Sequence, residues 1–184
     1  MAAPVYKQAE IERLLAVKKR ATDSAWPALR PANWGPARRR ANVYERVAQI
    51  TVLPWDDSSV YKFSLEICHN TRTDHVAITL RAAIPPRPML PVCRYEVSDA
   101  PHANPACCPG QGIESGTFHR HVYNEQAVRE GDPESWDACA EALDLSSSGT
   151  GEAQMRRLAN RTLGDLNIAF DDPAVDTLFR TGRP

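Results

Sequence analysis

The stretch Tyr61-Lys62-Phe63-Ser64-Leu65-Glu66-Ile67-Cys68, followed by Asn70-Thr71-Arg72-Thr73-Asp74 and then Val76-Ala77-Ile78-Thr79-Leu80-Arg81, decides the fold class. In the first run Tyr61, Phe63, Leu65 and Ile67 alternate with Lys62, Ser64, Glu66 and Cys68. In the last run Val76, Ile78 and Leu80 alternate with Ala77, Thr79 and Arg81. A period of two puts alternate side chains on opposite faces of a half-buried strand. The polar link between the runs is short, so the two strands pair as a hairpin.

Further strands flank this hairpin. Asn42 to Leu53 is rich in Val, Ile and Thr and reads as a strand. Val92 to Val97 and Phe118 to Tyr123 read as two more, after a break enforced by Ile84-Pro85-Pro86-Arg87-Pro88. Lys7 to Ala21 reads as a helix, because Ile11, Leu14, Leu15 and Lys18 follow helical spacing and the Lys18 stem can lie along the apolar stripe. The proline-rich segment Thr22 to Pro36 reads as an irregular connection, with Trp26 and Trp34 pinning it to the core or offering a partner surface.

The C-terminal third reads as helical. Asp132-Pro133-Glu134 has the composition of a helix start, with Trp136, Cys139, Ala140 and Leu143 on one face. Leu145 to Gly151, with Ser146 to Thr150 in the middle, reads as a flexible loop. Met155, Leu158, Ala159, Thr162 and Leu166 mark a second helix, and Asp172-Pro173 a short last one. The expected architecture is therefore α+β: an N-terminal helix, an antiparallel meander of about five strands, and a helical C-terminal third on one sheet face. A single domain spans 1–184, with an N-terminal helix and Pro/Trp-rich arm (1–41), a sheet (42–124) and a helical tail (125–184).

The net charge of -1 argues against a general nucleic-acid coat. Charge is nonetheless divided: residues 1–100 hold 15 Lys/Arg and 10 Asp/Glu, and residues 101–184 hold 7 and 13. The basic excess lies between Lys7 and Arg46 and includes Arg38-Arg39-Arg40. It suits either phosphate or docking on the chain's own acidic half. No apolar run is long enough for a membrane span, and the first residues lack a secretion-signal layout. Five cysteines, an odd count without Cys-x-x-Cys, point to a reducing cytoplasm and away from a disulfide framework.

Chemistry concentrates between Arg94 and Tyr123, which holds three of the five histidines: His102, His119 and His121. On a strand, His119, His121 and Tyr123 share one face, while Phe118 and Val122 suit the core, so the histidines are expected on an open or polar face. If the flanking strands are neighbours, His102 swings over the pair. Three readings fit. His102, His119 and His121 hold a zinc ion, with Glu114, Cys107 or Cys108 as a fourth ligand. Alternatively no metal binds, and the histidines act as general acid and base on a phosphodiester, with Arg94 stabilising the developing charge and Tyr123 orienting a histidine or stacking on a base. In the third reading the histidines are structural. Glu96 shares a face with Arg94, and the pair reads first as a structural support for a loop. In the functional version Arg94 is an anion clamp with Glu96 as its orienter, and Asp99 does the same for His102. His69 and His75 flank the hairpin turn and read as surface residues.

The order Arg94-x-Glu96, Pro101-His102-x-Asn104-Pro105, His119-x-His121-x-Tyr123 resembles the signature of an uncharacterised family of small bacterial and phage proteins. Leu163 to Ile168 is similar to that family's helical tail. The chain departs from the pattern at Glu96, usually Asp, in the longer Ala106 to Gly110 loop, and at Thr117. More distantly the order is similar to TumE-type toxins of toxin–antitoxin pairs. The resemblance implies a compact α+β toxin fold with a target in nucleic acid or translation. The clustered histidines beside Arg94 and the basic segment before residue 47 add the expectation of a toxin-like or phage accessory protein acting on RNA, ribonuclease-like or as a metal-dependent hydrolase, with an antitoxin or host factor as protein partner. The competing expectation is a non-enzymatic protein-binding module with a structural histidine cluster.

Overall fold

The computed structural model describes residues 6–22, 35–36, 45–70, 72–73, 75–97, 101–108, 110, 112–130, 136–145 and 152–171. The described residues form a mostly antiparallel sheet with three α-helices, so the α+β class holds. The expected hairpin is its centre. Strand β4 (Lys62–Asn70) pairs antiparallel with β5 (His75–Ala83) along its whole length. On one side β4 pairs with β3 (Glu45–Pro54). On the other, β5 pairs with β6 (Leu90–Val97), and β6 with β7 (Phe118–Val122). These five strands run antiparallel in chain order, but they are part of a larger sheet, so the expected meander of about five strands is matched only loosely.

The sheet extends beyond it. Strand β1 (Lys19–Ala21) joins β3 antiparallel, β9 (Ile168–Phe170) joins β1 in parallel, and β8 (Ala140–Ala142) joins β7 antiparallel. A two-residue strand, β2 (Gly35–Pro36), also pairs with β3.

Helix α1 (Gln8–Ala16) is shorter than the expected Lys7–Ala21. It ends at Val17, whose backbone is extended (φ -56, ψ 130). The next residues exchange helical bonds for sheet bonds: Lys19 N donates to Asn167 O at 2.8 Å, and Trp55 N donates to Lys18 O at 2.8 Å. Lys18 is exposed, its ammonium 4.1 Å from the centre of the Trp55 ring, instead of lying on a helix stripe. Long-range pairing has outweighed a weak local preference.

The second departure is the segment expected to be a helix through Trp136, Cys139, Ala140 and Leu143. Its described residues include strand β8, because β7 offers a free edge that takes Ala140 opposite His121 and Ala142 opposite His119. The proposed start at Asp132-Pro133-Glu134, like Trp26, Trp34, Arg38-Arg39-Arg40, Asp99, the Ser146–Thr150 loop and the Asp172-Pro173 helix, lies outside the described residues. A helix does occur just after β7, at Glu125–Glu130 (α2), in a stretch without strong periodicity. Asn124 Oδ1 caps it by accepting from Ala127 N at 3.0 Å, and Arg129 pairs with Glu125 one turn away.

Helix α3 (Glu152–Asp165) follows the expected pattern. Met155, Leu158, Ala159, Thr162, Leu163 and Leu166 are all buried, at helical spacing, and the helix meets β5, β6 and β9. Beneath it lie Ile50, Leu65, Ile67 and Ile78, which share one sheet face. Each large side chain fully buried there contributes roughly 1.5–3 kcal/mol of transfer free energy. Cys93, Tyr95 and Val97 lie opposite Val122, Arg120 and Phe118 and belong to this same face. The alternation therefore sends Arg94, Glu96, His119 and His121 to the other one.

A disulfide joins Cys108 to Cys139, 31 residues apart in sequence, with Cα atoms 5.2 Å apart. The odd cysteine count points away from a disulfide framework; one pair is nonetheless bonded among the described residues. The partner of Cys108 is the cysteine beside β8, which the fold brings alongside the 101–113 loop.

Candidate metal centre

The register of β6 against β7 sets Glu96 opposite His119 and Arg94 opposite His121. In an antiparallel pair such residues stand close enough for their side chains to meet. His102 arrives from the loop after β6. A two-way backbone bridge with Ile113 pins it, with His102 N to Ile113 O at 2.9 Å and Ile113 N to His102 O at 2.7 Å. Asn104 fixes the same loop to the start of β8. Its side-chain nitrogen donates to Ala140 O at 2.8 Å and its oxygen accepts from Ala140 N at 2.9 Å.

Three imidazole nitrogens converge on one carboxylate oxygen. Glu96 Oε1 stands 3.1 Å from His119 Nε2, 3.2 Å from His121 Nε2 and 3.4 Å from His102 Nε2. The ring centroids are 4.8 to 5.3 Å apart. The other carboxylate oxygen, Oε2, stands 3.0 Å from Arg94 Nε and 3.5 Å from His75 Nε2. Four of the five histidines thus gather around one glutamate.

The second ring nitrogens decide what the Nε2 atoms can do. His119 Nδ1 lies 2.8 Å from Thr117 O, and His121 Nδ1 lies 2.5 Å from Asp137 O. A carbonyl oxygen only accepts, so both Nδ1 atoms carry protons and donate. In the neutral ring Nε2 is then a lone pair, aimed at a carboxylate oxygen that also has only lone pairs. A cation between them resolves the conflict. A single proton answers one such contact, but three rings surround this oxygen. His102 Nε2 is buried without a hydrogen-bond partner. A metal-ligating histidine almost always donates its far N–H to an acceptor such as a carbonyl, so the orientation of the His119 and His121 rings fits a metal site. Tetrahedral ligand atoms about 2.0–2.2 Å from one ion stand about 3.3–3.6 Å from one another. The three separations from Glu96 Oε1, 3.1–3.4 Å, come close to this, and all four ligand atoms lie within 4.8 Å of one another. The ligand atoms of Glu96, His102, His119 and His121 form a group able to hold a metal ion.

Charge within the cluster favours a cation. Burial alone raises the Glu96 carboxyl, but contact with the His119, His121 and His75 rings when they carry a proton at Nε2, with the Arg94 charge, outweighs it; a bound cation would act in the same direction in place of those protons. The group stays ionised far below the usual carboxylate range. His102 is pushed below its ordinary value, first by burial and then by the neighbouring His119 ring, against the pull of Glu96. Its lone pair is thereby more available.

His119 and His121 are buried, not on an open face as expected. Access lies on one rim, where His102 is 30% exposed, Arg94 27% and Asp137 24%. Arg94 is held there by Asp137 at 2.7 Å as well as by Glu96, and lies 5.7 Å from the Trp136 ring.

Of the residues singled out in the sequence, His102, His119, His121 and Arg94 come together. Tyr123 does not join them; its hydroxyl donates to Tyr6 O at 3.1 Å. The fourth converging group is Glu96, and Glu114 is exposed. Cys107, Cys108 and Cys139 form a separate group. His75, read as a surface residue, reaches Glu96. The signal for Glu96 was its position on the strand before a His-x-His strand, which identifies it once the register is known. Comparison with protein-family models, with curated proteins and with solved structures gives no match.

Proposed function

We propose that this chain is a metal-dependent hydrolase, with a divalent transition ion, zinc first among them, held by Glu96, His102, His119 and His121, and with RNA phosphodiesters as its substrate class. The observation that carries the metal is the convergence of three Nε2 atoms on Glu96 Oε1 at 3.1–3.4 Å with the far nitrogens of two rings fixed by carbonyls. Imidazole-rich sets with one carboxylate suit zinc, iron and nickel. Such an ion supplies Lewis acidity and a water activated near neutral pH.

The chain's own groups do the rest. Thr117 O and Asp137 O orient His119 and His121. Glu96 offsets positive charge, and His75 and Arg94 hold its second oxygen. Arg94 lies on the exposed rim, where a phosphate approaching His102 would meet a guanidinium. RNA as substrate rests on this arginine, on the basic segment before residue 47 and on the resemblance to toxin families.

The test is metal content and RNA cleavage of the purified full chain. About one equivalent of metal is expected in the wild type, with none in Glu96→Gln or His119→Ala. RNA cleavage that a chelator abolishes and the ion restores is also expected. A wild-type chain that binds no divalent ion overturns the proposal. In a bacterial host, wild type is expected to arrest growth and the His119→Ala/His121→Ala variant is not.

One observation favours a second reading. Four protein ligands around one point, two of them fully buried, also describe a closed structural ion. In that case the chain is a binding module for an antitoxin or host factor. Metal removal then unfolds it, RNA stays intact, and a stoichiometric protein partner is recovered.

A further inference from the structure

We infer that Cys107, Cys108 and Cys139 form a second metal site, a three-thiolate site for a soft ion of the zinc, cadmium or copper(I) class, opened when the Cys108–Cys139 disulfide is reduced. The three sulfurs lie within 4.8 Å of one another and are half-buried. Cys107 Sγ stands 3.9 Å from Cys108 Sγ. Two segments supply them, the loop after His102 and the residue before β8.

The disulfide is not what holds these segments together on its own. Asn104 makes two hydrogen bonds to Ala140, the residue next to Cys139. Cys108 N donates to Pro105 O at 2.9 Å, closing the turn that presents both neighbouring cysteines. Strand β8 is anchored independently on β7. Breaking the S–S bond therefore leaves three thiols facing one another on a fixed frame. Thiolate sulfur selects soft and borderline ions.

The chemistry balances with a dithiol as the named reductant. One of its thiolates attacks a sulfur of the disulfide and displaces the other as a thiolate, giving a mixed disulfide. Its second thiol closes the cyclic disulfide and frees the remaining cysteine. Two electrons pass to the protein, and Cys108 and Cys139 become thiols. A divalent ion then displaces three protons from three thiols. Neither Cys68 nor Cys93 belongs to the group. Cys93 is buried within the core, where its thiol is pushed up to about 12.

The site is distinct from the Glu96 centre in donor chemistry, yet it shares a support. Cys139 lies two residues beyond Asp137, whose carbonyl fixes His121 and whose carboxylate pairs with Arg94.

The experiment titrates cadmium into the full chain in two forms, air-oxidised, or reduced with dithiothreitol that is then removed under anaerobic conditions. Thiolate-to-cadmium charge-transfer absorption, saturating at about one equivalent beyond any taken up by the Glu96 centre, is expected in the reduced form and absent in the oxidised form. In Cys107→Ser, whose disulfide is verified by peptide mapping, apparent affinity after reduction is expected to fall at least about tenfold. Cys68→Ser and Glu96→Gln are expected to keep the thiolate signal. No charge transfer in the reduced wild type, an equal signal in the oxidised chain, or undiminished affinity in Cys107→Ser overturns the inference.

Discussion

Gly112 is where one methyl group reaches the candidate centre. Its φ is +115, and a Cβ there would stand 2.3 Å from His102 O. A Gly112→Ala change adds backbone strain and pushes away the carbonyl that bridges to Ile113. We expect it to weaken metal binding at the Glu96 centre at least about tenfold, and to cost about 1–3 kcal/mol of stability; calorimetric metal titration and thermal melting check both. His119 and His102 should separate in a similar way. His119 is fully buried between Thr117 O and Glu96, so His119→Ala leaves buried acceptors unpaired and costs about 1–3 kcal/mol besides its ligand. His102 is half-buried, so His102→Ala should lose metal with a smaller stability loss, read in the same melts. The histidines were legible because His-x-His on a strand shares a face. In the sequence Glu96 reads only as a partner of Arg94, supporting a loop or orienting the guanidinium, because spacing within one strand cannot say what stands opposite on the next. Tyr123 shares the alternation, yet its hydroxyl is drawn to Tyr6.

At the scale of elements, α1 is fastened at its start by charge and at its end by a buried lysine. Arg87 donates to both oxygens of Glu10, at 2.6 and 2.8 Å, and Lys7 N adds a third bond at 2.9 Å. The Arg87 bond first, then the Lys7 amide, lower Glu10 to about 2. A depressed carboxylate stabilises the fold above its unfolded value and loses that contribution as pH falls through its folded value. Stability should therefore drop between about pH 4.5 and about pH 2, and Glu10→Gln should remove that slope; with solvent screening the contribution is about 1 kcal/mol. Denaturant titrations at several pH values measure it. At the other end Lys19 Nζ donates to Leu15 O, Val17 O and Leu166 O at 2.7–3.0 Å, gathering carbonyls near the C-termini of two helices. Burial lowers it to about 8. Here the unfolded chain holds the proton more tightly, so this group should make stability rise as pH climbs from about 8 toward 10.5, and Lys19→Met should flatten that rise. The β4–β5 hairpin was legible from alternation, and the strands beside it from composition and the proline break between them. The end of α1 and strand β8 were not, since each depends on partners far along the chain, Asn167 for Lys19 and the edge of β7 for Ala140.

Across the whole molecule, the 31-residue link between Cys108 and Cys139 closes a loop that contains β7, α2 and the approach to β8. Chain entropy gives such a closure roughly 3–4 kcal/mol. Cys139→Ser is expected to lower unfolding free energy by up to that amount, as measured by denaturant unfolding under non-reducing conditions. An odd cysteine count hid this pair, because connectivity follows from the fold and not from spacing.

The parallel pairing of β1 with β9 sets Lys19 beside Ile168 and Ala21 beside Phe170. Tension applied through residues 18 and 171 pulls the two strands in opposite directions along their own axes. All the hydrogen bonds between them then bear load together and cannot break in succession. Mechanically, this pair is a shear clamp at one edge of the described sheet. In a single-molecule pulling experiment with handles at those positions, it should yield at a higher force than the same chain held at residues 62 and 83, where the β4–β5 hairpin opens like a zipper from its free ends.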